Sequence, residues 1–126
     1  MDAPERTRLL AAAALEKKAL DLVALDVHEL TSFADAFLLA TGSSDRHVRA
    51  VADAVLEAAQ QAGGPVLGVE GYEEGRWVLL DLGDVIVHVF QGEARSTYDL
   101  DRLWEDAEAI DLDLPEPPKQ QRGARI

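Results

Sequence analysis

Residues 77–104, WVLLDLGDVIVHVFQGEARSTYDLDRLW, join two apolar strands, a tight turn and an aromatic-bearing helix. After Gly83-Asp84 the strict alternation puts Val85, Val87 and Val89 on one face of a strand and Ile86, His88 and Phe90 on the other. A two-residue Gly-Asp loop pairs Leu82 with Val85, Leu80 with Val87 and Val78 with Val89, so these side chains share the valine face. The opposite face carries Trp77, Leu79, Asp81, Ile86 and His88. The valine face reads as core. The other mixes large apolar groups with ionisable ones, so it lies under a helix or waits for a partner.

Upstream, Pro4 to Ala19 reads as a helix with Leu9, Leu10, Ala13 and Leu15 on its stripe. Leu20 to Val27 alternates as a strand, and after a Thr31-Ser32 turn Ala36 to Thr41 reads as another. Val48, Val51, Ala52, Val55, Leu56 and Ala59 then recur with the spacing of a helix face, capped by Ser43 or Ser44 and stopped by Gly63-Gly64-Pro65. A short strand near Val66 to Glu70 leads into the hairpin. The last helix is expected from about Tyr98 to Ala109, with Leu100, Leu103, Trp104 and Ala107 on one stripe. Strands in unequal alternation with helices, including one antiparallel hairpin, give an α/β fold, a mixed β-sheet flanked by helices. Residues 1–110 form one expected domain, and the proline-rich and then basic stretch 111–126 is expected to be a disordered tail.

At 126 residues the chain is long enough for one proper core. With no cysteine it holds neither a disulfide nor a thiolate metal site. No cationic, apolar leader follows Met1, and no apolar run approaches the roughly 20 residues of a membrane span, so a soluble cytoplasmic protein with no membrane association is expected. Of the net charge of −12, about two thirds lies between Glu70 and Glu108, where eleven acidic residues face only Arg76, Arg95 and Arg102. Such a surface repels phosphates, so direct nucleic-acid binding is not the expected main mode, and a basic protein partner suits it better.

The order of residues in two blocks identifies relatives. Trp77, Leu79-Leu80-Asp81, Gly83-Asp84, His88-Val89-Phe90, Glu93, Arg95, Tyr98-Asp99-Leu100 and Leu103-Trp104 form the first. Leu30-Thr31-Ser32-Phe33-Ala34-Asp35, Ala40-Thr41-Gly42 and Arg46-His47-Val48 form the second. Together they resemble the Iojap-like ribosomal silencing factors over roughly residues 5–108. The resemblance implies a nucleotidyltransferase-like fold. It also implies a non-catalytic translational repressor that binds the large ribosomal subunit through its protein fourteen and sterically blocks joining of the small subunit. The contact residues assigned on that basis are Trp77, Leu79, Asp81, Leu82, Asp84, Arg95, Tyr98 and Asp99, with Arg95 alternatively an internal ion-pair partner holding the hairpin to the last helix. An aromatic anchor rimmed by acids, as at Trp77, is the usual make-up of a protein-binding hot spot. Leu82, Thr97 and Ala36 stand where the family more often has aromatics, and Asp101 replaces a glutamate. The resemblance also allows a homodimer through the apolar patch around Trp77.

The implied fold raises an alternative, a nucleotide-binding or nucleotidyl-transferring enzyme. Thr41-Gly42-Ser43-Ser44 lies between a strand and a helix N-terminus, as a phosphate-holding turn would. Carboxylates spaced to hold Mg²⁺ on one face of a strand are missing: Asp81 and Asp84 are three apart and straddle the turn, and Asp99 and Asp101 lie at a helix start. Ser43, Ser44, Asp45 and His47 have triad composition but sit in one segment, where Asp45 more simply complements the helix dipole. His28, His47 and His88 show no metal-ligand spacing, so no metal, cofactor or catalytic residue is expected. A third reading is an acidic adaptor for another basic protein.

Overall fold

The computed structural model describes residues 1–114. The chain runs α1 (Ala3–Glu16), β1 (Leu20–Asp26), β2 (Ala36–Gly42), α2 (Asp45–Gln61), β3 (Gly68–Glu70), β4 (Trp77–Asp81), β5 (Val85–Gln91), α3 (Gly92–Tyr98), α4 (Leu100–Leu103) and β6 (Glu108–Ala109). The strands form one sheet in the order β3-β4-β5-β2-β1-β6. Every neighbouring pair is antiparallel except β2 and β5, which run parallel. This is the α/β architecture expected, a mixed sheet flanked by helices.

The hairpin has the expected register, with Val78 opposite Val89 and Leu80 opposite Val87. Gly83 takes a φ of 91° in the turn, a conformation that a side chain would strain, and the Leu82 N–H donates to the Val85 carbonyl at 3.0 Å. On the valine face, Val78, Leu80, Leu82, Val85, Val87 and Val89 meet Leu38 and Ala40 of β2. Leu10, Ala11 and Ala14 of α1 and Val48, Val51, Ala52, Val55 and Ala59 of α2 close over them. The alanines of α1 keep the two helices close together. Each helix starts on a side-chain cap: Asp2 and Glu5 exchange bonds in a capping box at α1, and the Ser44 hydroxyl accepts the His47 N–H at 3.0 Å at α2.

Three expectations are corrected. The first helix ends at Glu16 rather than Ala19, because Lys18 takes a left-handed φ of 62° and turns the chain into β1. The last helix is two short ones, α3 starting at Gly92 and α4 ending at Leu103, broken by Asp99 with a φ of 51°. The segment assigned to its end instead forms β6 on the edge of β1, with Ala109 opposite Leu25. Ile110, Leu112 and Leu114 rest partly buried against the core beneath the helices. The rest of the expected tail lies outside the described residues.

One polar contact fastens α1 to the hairpin turn. The guanidinium of Arg6, almost covered, donates to the Leu82 carbonyl at 3.2 Å and to the Asp84 carboxylate. Asp84 in turn offers its backbone carbonyl to the N–H groups of Asp35 and Ala36 at the start of β2. Arg6→Ala strands the Leu82 carbonyl and the carboxylate together, and is expected to lower unfolding free energy by about 2–3 kcal/mol. Urea denaturation of Arg6→Ala, Asp84→Asn and the double variant checks this: the two single losses should not add, and full additivity would refute the coupling.

A candidate partner-binding face

The face of the sheet away from α1 and α2 is only partly covered. Leu25 of β1, Phe37 and Leu39 of β2 and Ile86 and Phe90 of β5 form a second core, against which Trp77, Leu79, Leu100, Trp104 and Ala107 pack. Strand alternation sends each of these sheet residues to this side once the valines are committed to the other.

Trp77 stands at the edge of that array. Its ring stacks on Phe90, its partner across the hairpin, at 5.1 Å between centroids, and lies 4.4 Å from the ring of Tyr98 on α3. Its indole N–H donates to Nδ1 of His88 at 3.1 Å. Phe37 meets His88 edge-on at 5.4 Å and Trp104 edge-on at 5.0 Å, and Phe33 lies 6.1 Å beyond Phe37. A chain of rings thus crosses the face from Phe33 to Tyr98, exposed at both ends. Arg76 sits over Tyr98 at 5.8 Å and reaches Glu93 at 3.4 Å. Asp81 shares the Trp77 face and accepts the Gly83 N–H at 3.1 Å, stabilising the turn.

The eight contact residues assigned from the sequence therefore separate. Trp77, Leu79, Asp81 and Tyr98 are at least partly accessible on this face, whereas Asp99, also partly accessible, lines the cleft beside Arg95 and Asp101. Leu82 is corrected: it is 0% exposed in the valine-face core, because the strand alternation that exposes Asp81 turns its neighbour inward. Asp84 stays partly exposed but turns its carboxylate towards α1 and Arg6. Arg95, 12% exposed, is internal. It holds Asp101 through two bonds at 2.9 and 3.1 Å, the Thr41 hydroxyl at 2.9 Å and the Asp21 carbonyl at 2.6 Å. It thereby ties the last helices to β1 and β2 rather than to the hairpin, and it holds the Asp101 carboxyl below the usual carboxylate range.

Two exposed apolar residues beside the face escaped the sequence reading. Leu103 was expected on the inward stripe, but the break at Asp99 leaves it 70% exposed while Leu100 and Trp104 pack inward. Phe33 lies between Ser32 and Ala34 in a turn, where no periodicity assigns a side chain to a surface; a large aromatic amid turn residues was the only signal.

The residues considered for catalysis serve the backbone. A Cβ on Gly42 would stand 2.8 Å from a Val48 methyl, so glycine lets α2 approach β2. Nδ1 of His47 accepts the Ser43 N–H at 2.8 Å and Nε2 meets the Lys17 carbonyl at 2.7 Å, pinning the start of α2 to the end of α1. A cleft of about 380 Å³ at the carboxyl ends of β2 and β5 is lined by Asp21, Thr41, Arg95, Ser96 and Asp101, whose guanidinium, hydroxyl and Asp101 carboxylate are already bonded to one another. Asp81 and Asp84 point to different sides of the hairpin. Among the described residues no group of three or more His, Cys, Asp or Glu is placed to hold a metal ion, and no helix is long and apolar enough to cross a membrane.

These features define a small α/β protein with one sheet face sealed by α1 and α2 and the other largely covered, leaving a partly exposed aromatic edge at Trp77 and Tyr98. Comparison with known proteins carries the assignment further. Residues 1–125 match the family described as "Ribosomal silencing factor during starvation", RsfS, and the chain belongs to that family. It is 46% identical to the ribosomal silencing factor RsfS of Bacillus subtilis over 85% of this chain and 91% of that protein. It is 31% identical to the chloroplastic protein Iojap of Zea mays, over 82% of this chain and 45% of that protein. A crystal structure of a Chromobacterium violaceum protein superposes with a TM-score of 0.82 at 35% identity, covering 99% of this chain and 98% of that one.

Burial pushes the His88 imidazole down from 6.5 to about 4. The unfolded chain therefore takes up a proton near pH 6.5 that the folded chain refuses until about pH 4, so this contribution to stability is complete above pH 6.5 and is lost as pH falls. The expected loss is about 2 kcal/mol between pH 7 and pH 5. His28, raised by its bond to Asp26, acts oppositely, stabilising below pH 6.5, but the pair is exposed and its effect is screened. Asp26, Asp45 and Asp101, all lowered, lose their contributions only in the more acidic carboxylate range. Urea denaturation at the two pH values should show the slope in the wild type and its loss in His88→Phe.

Proposed function

We propose that the protein represses translation by binding the large ribosomal subunit through that subunit's protein fourteen, on the surface where the small subunit docks. The observation that supports this reading is the partly exposed aromatic edge of the second sheet face. Trp77 and Tyr98 form an anchor already packed by Phe90, Leu79 and Asp81 share the Trp77 face, and the exposed Phe33 stands at the far end of the ring chain. Rigid, pre-packed aromatics lose little conformational entropy on binding and bury large area, which is how a few residues come to dominate an interface.

Blocking subunit joining requires affinity and bulk but no turnover, and the polar groups considered for catalysis have structural roles in this chain. The charge points the same way. A net charge of −12 favours a basic protein partner and speeds encounter with it. Membership of a ribosomal silencing family supports the ribosome as the setting, and the bacterial relatives fit a cytoplasmic site of action.

The test is co-sedimentation with purified large subunits, followed by addition of small subunits. Wild type should pellet and prevent joining. Trp77→Ala should weaken binding by about 30-fold or more, the cost of truncating a hot-spot aromatic of roughly 2 kcal/mol or above. Asp81→Ala should mainly slow association and reduce its salt dependence. Failure of the wild type to pellet at micromolar concentration, or a Trp77→Ala variant that binds normally, would refute the proposal.

A further inference from the structure

His88 is the one ionisable residue in the buried run Val85–Phe90 of β5. It is 5% exposed, and its Nε2 is buried without a hydrogen-bond partner among the described residues. A leucine or phenylalanine would fill this position beside Phe37 and Phe90 without leaving any polar atom unsatisfied. The histidine has one polar contact in return: its Nδ1 receives the Trp77 indole N–H at 3.1 Å.

That contact fixes the state of both rings. To accept at Nδ1 the imidazole must be neutral and carry its proton on Nε2. Leu79, not Trp77, is the residue opposite His88 in the hairpin register, and Trp77 is opposite Phe90. The bond therefore runs diagonally, drawing the indole inward over the strand until it stacks between Phe90 and Tyr98. The indole also has its sole donor committed inside the protein, so what it presents outward is hydrocarbon.

We propose that His88 is a positioning residue for the partner-binding face, and that Trp77, its donor already satisfied, is received by an apolar cleft of a basic protein partner rather than by a hydrogen-bond acceptor. The inference rests on the ribosome-binding reading of that face. It assigns the histidine to orientation: without the acceptor at Nδ1, the indole swings away from Phe90 and exposes an unpaired N–H that an apolar cleft cannot satisfy.

The wild-type protein tests the bond directly. ¹⁵N NMR should show His88 in the Nε2-protonated form, with slow exchange of the Trp77 indole proton; an Nδ1-protonated ring would overturn the proposal. The functional arm uses a Trp104→Phe background, in which Trp77 is the only tryptophan. His88→Phe, checked for folding by circular dichroism at pH 7.5, should shift Trp77 emission and weaken large-subunit binding on the order of 5–10-fold, the worth of one neutral hydrogen bond. His88→Asn, whose carboxamide oxygen takes the place of Nδ1, should restore both towards wild type. A folded His88→Phe variant with unchanged emission and binding, or an asparagine that fails to rescue, overturns the positioning role. Trp77→Ala separates the two readings: if it abolishes binding while His88→Phe does not, only this inference fails; if it binds normally, the face itself is misassigned.

Discussion

The structure depends on the pairing of β5 with both of its neighbours. One edge meets β4 antiparallel and the other meets β2 in parallel, which leaves the strand buried from Val85 to Phe90. Because side chains alternate strictly, this double pairing also decides the two faces. Three valines go to the helices, and isoleucine, histidine and phenylalanine go to the open side. A slip of one residue would exchange the two sets, burying an imidazole under α1 and α2. The hairpin turn guards against that slip from one edge. From the other, the seven-residue register with β2 does so, and the Asp84 carbonyl locks its start by accepting two N–H groups.

How much of this was legible in the sequence follows from the range of the interactions involved. The hairpin register, the α2 face and the buried strands were readable, because local alternation, helical spacing and a Gly-Asp turn each encode them within a few residues. The break at Asp99 was not, since an aspartate in a left-handed conformation leaves no mark in hydrophobic periodicity. Leu103 was misassigned for that reason. Strand β6 was unreadable for a different one: two exposed residues take their state from the free edge of β1 rather than from their own preference.

The proposed binding face was half legible. Trp77, Leu79 and Asp81 follow from alternation, and the same alternation should have excluded Leu82, whose place opposite Val85 already gave it to the core. Arg95 and Asp84 needed the fold. Their partners, the Asp21 carbonyl and Thr41 hydroxyl for Arg95 and the Arg6 guanidinium for Asp84, lie far away in sequence, and such long-range hydrogen bonds and ion pairs are set by topology rather than by local pattern. The two arginines serve the same end by different routes. Arg6 clamps the first helix to the hairpin, and Arg95 clamps the last helices to the opposite strands. The two contacts thus tie the helices at both ends of the chain to the sheet that carries the aromatic edge.

The parallel pairing of β2 with β5 has a consequence for how the protein is made. The two strands are roughly fifty residues apart in the chain, and everything between them must be synthesised before they can meet. Until residues 85–91 emerge, the β1–β2 hairpin displays Phe37 and Leu39 on one side and Leu38 on the other with no strand to shelter its edge. Until then β2 has a free edge of the kind that pairs wrongly most readily, and the sheet closes only when β5 is available. The central strand of the sheet is thus also a late one, paired only after α2, β3 and β4 have been made.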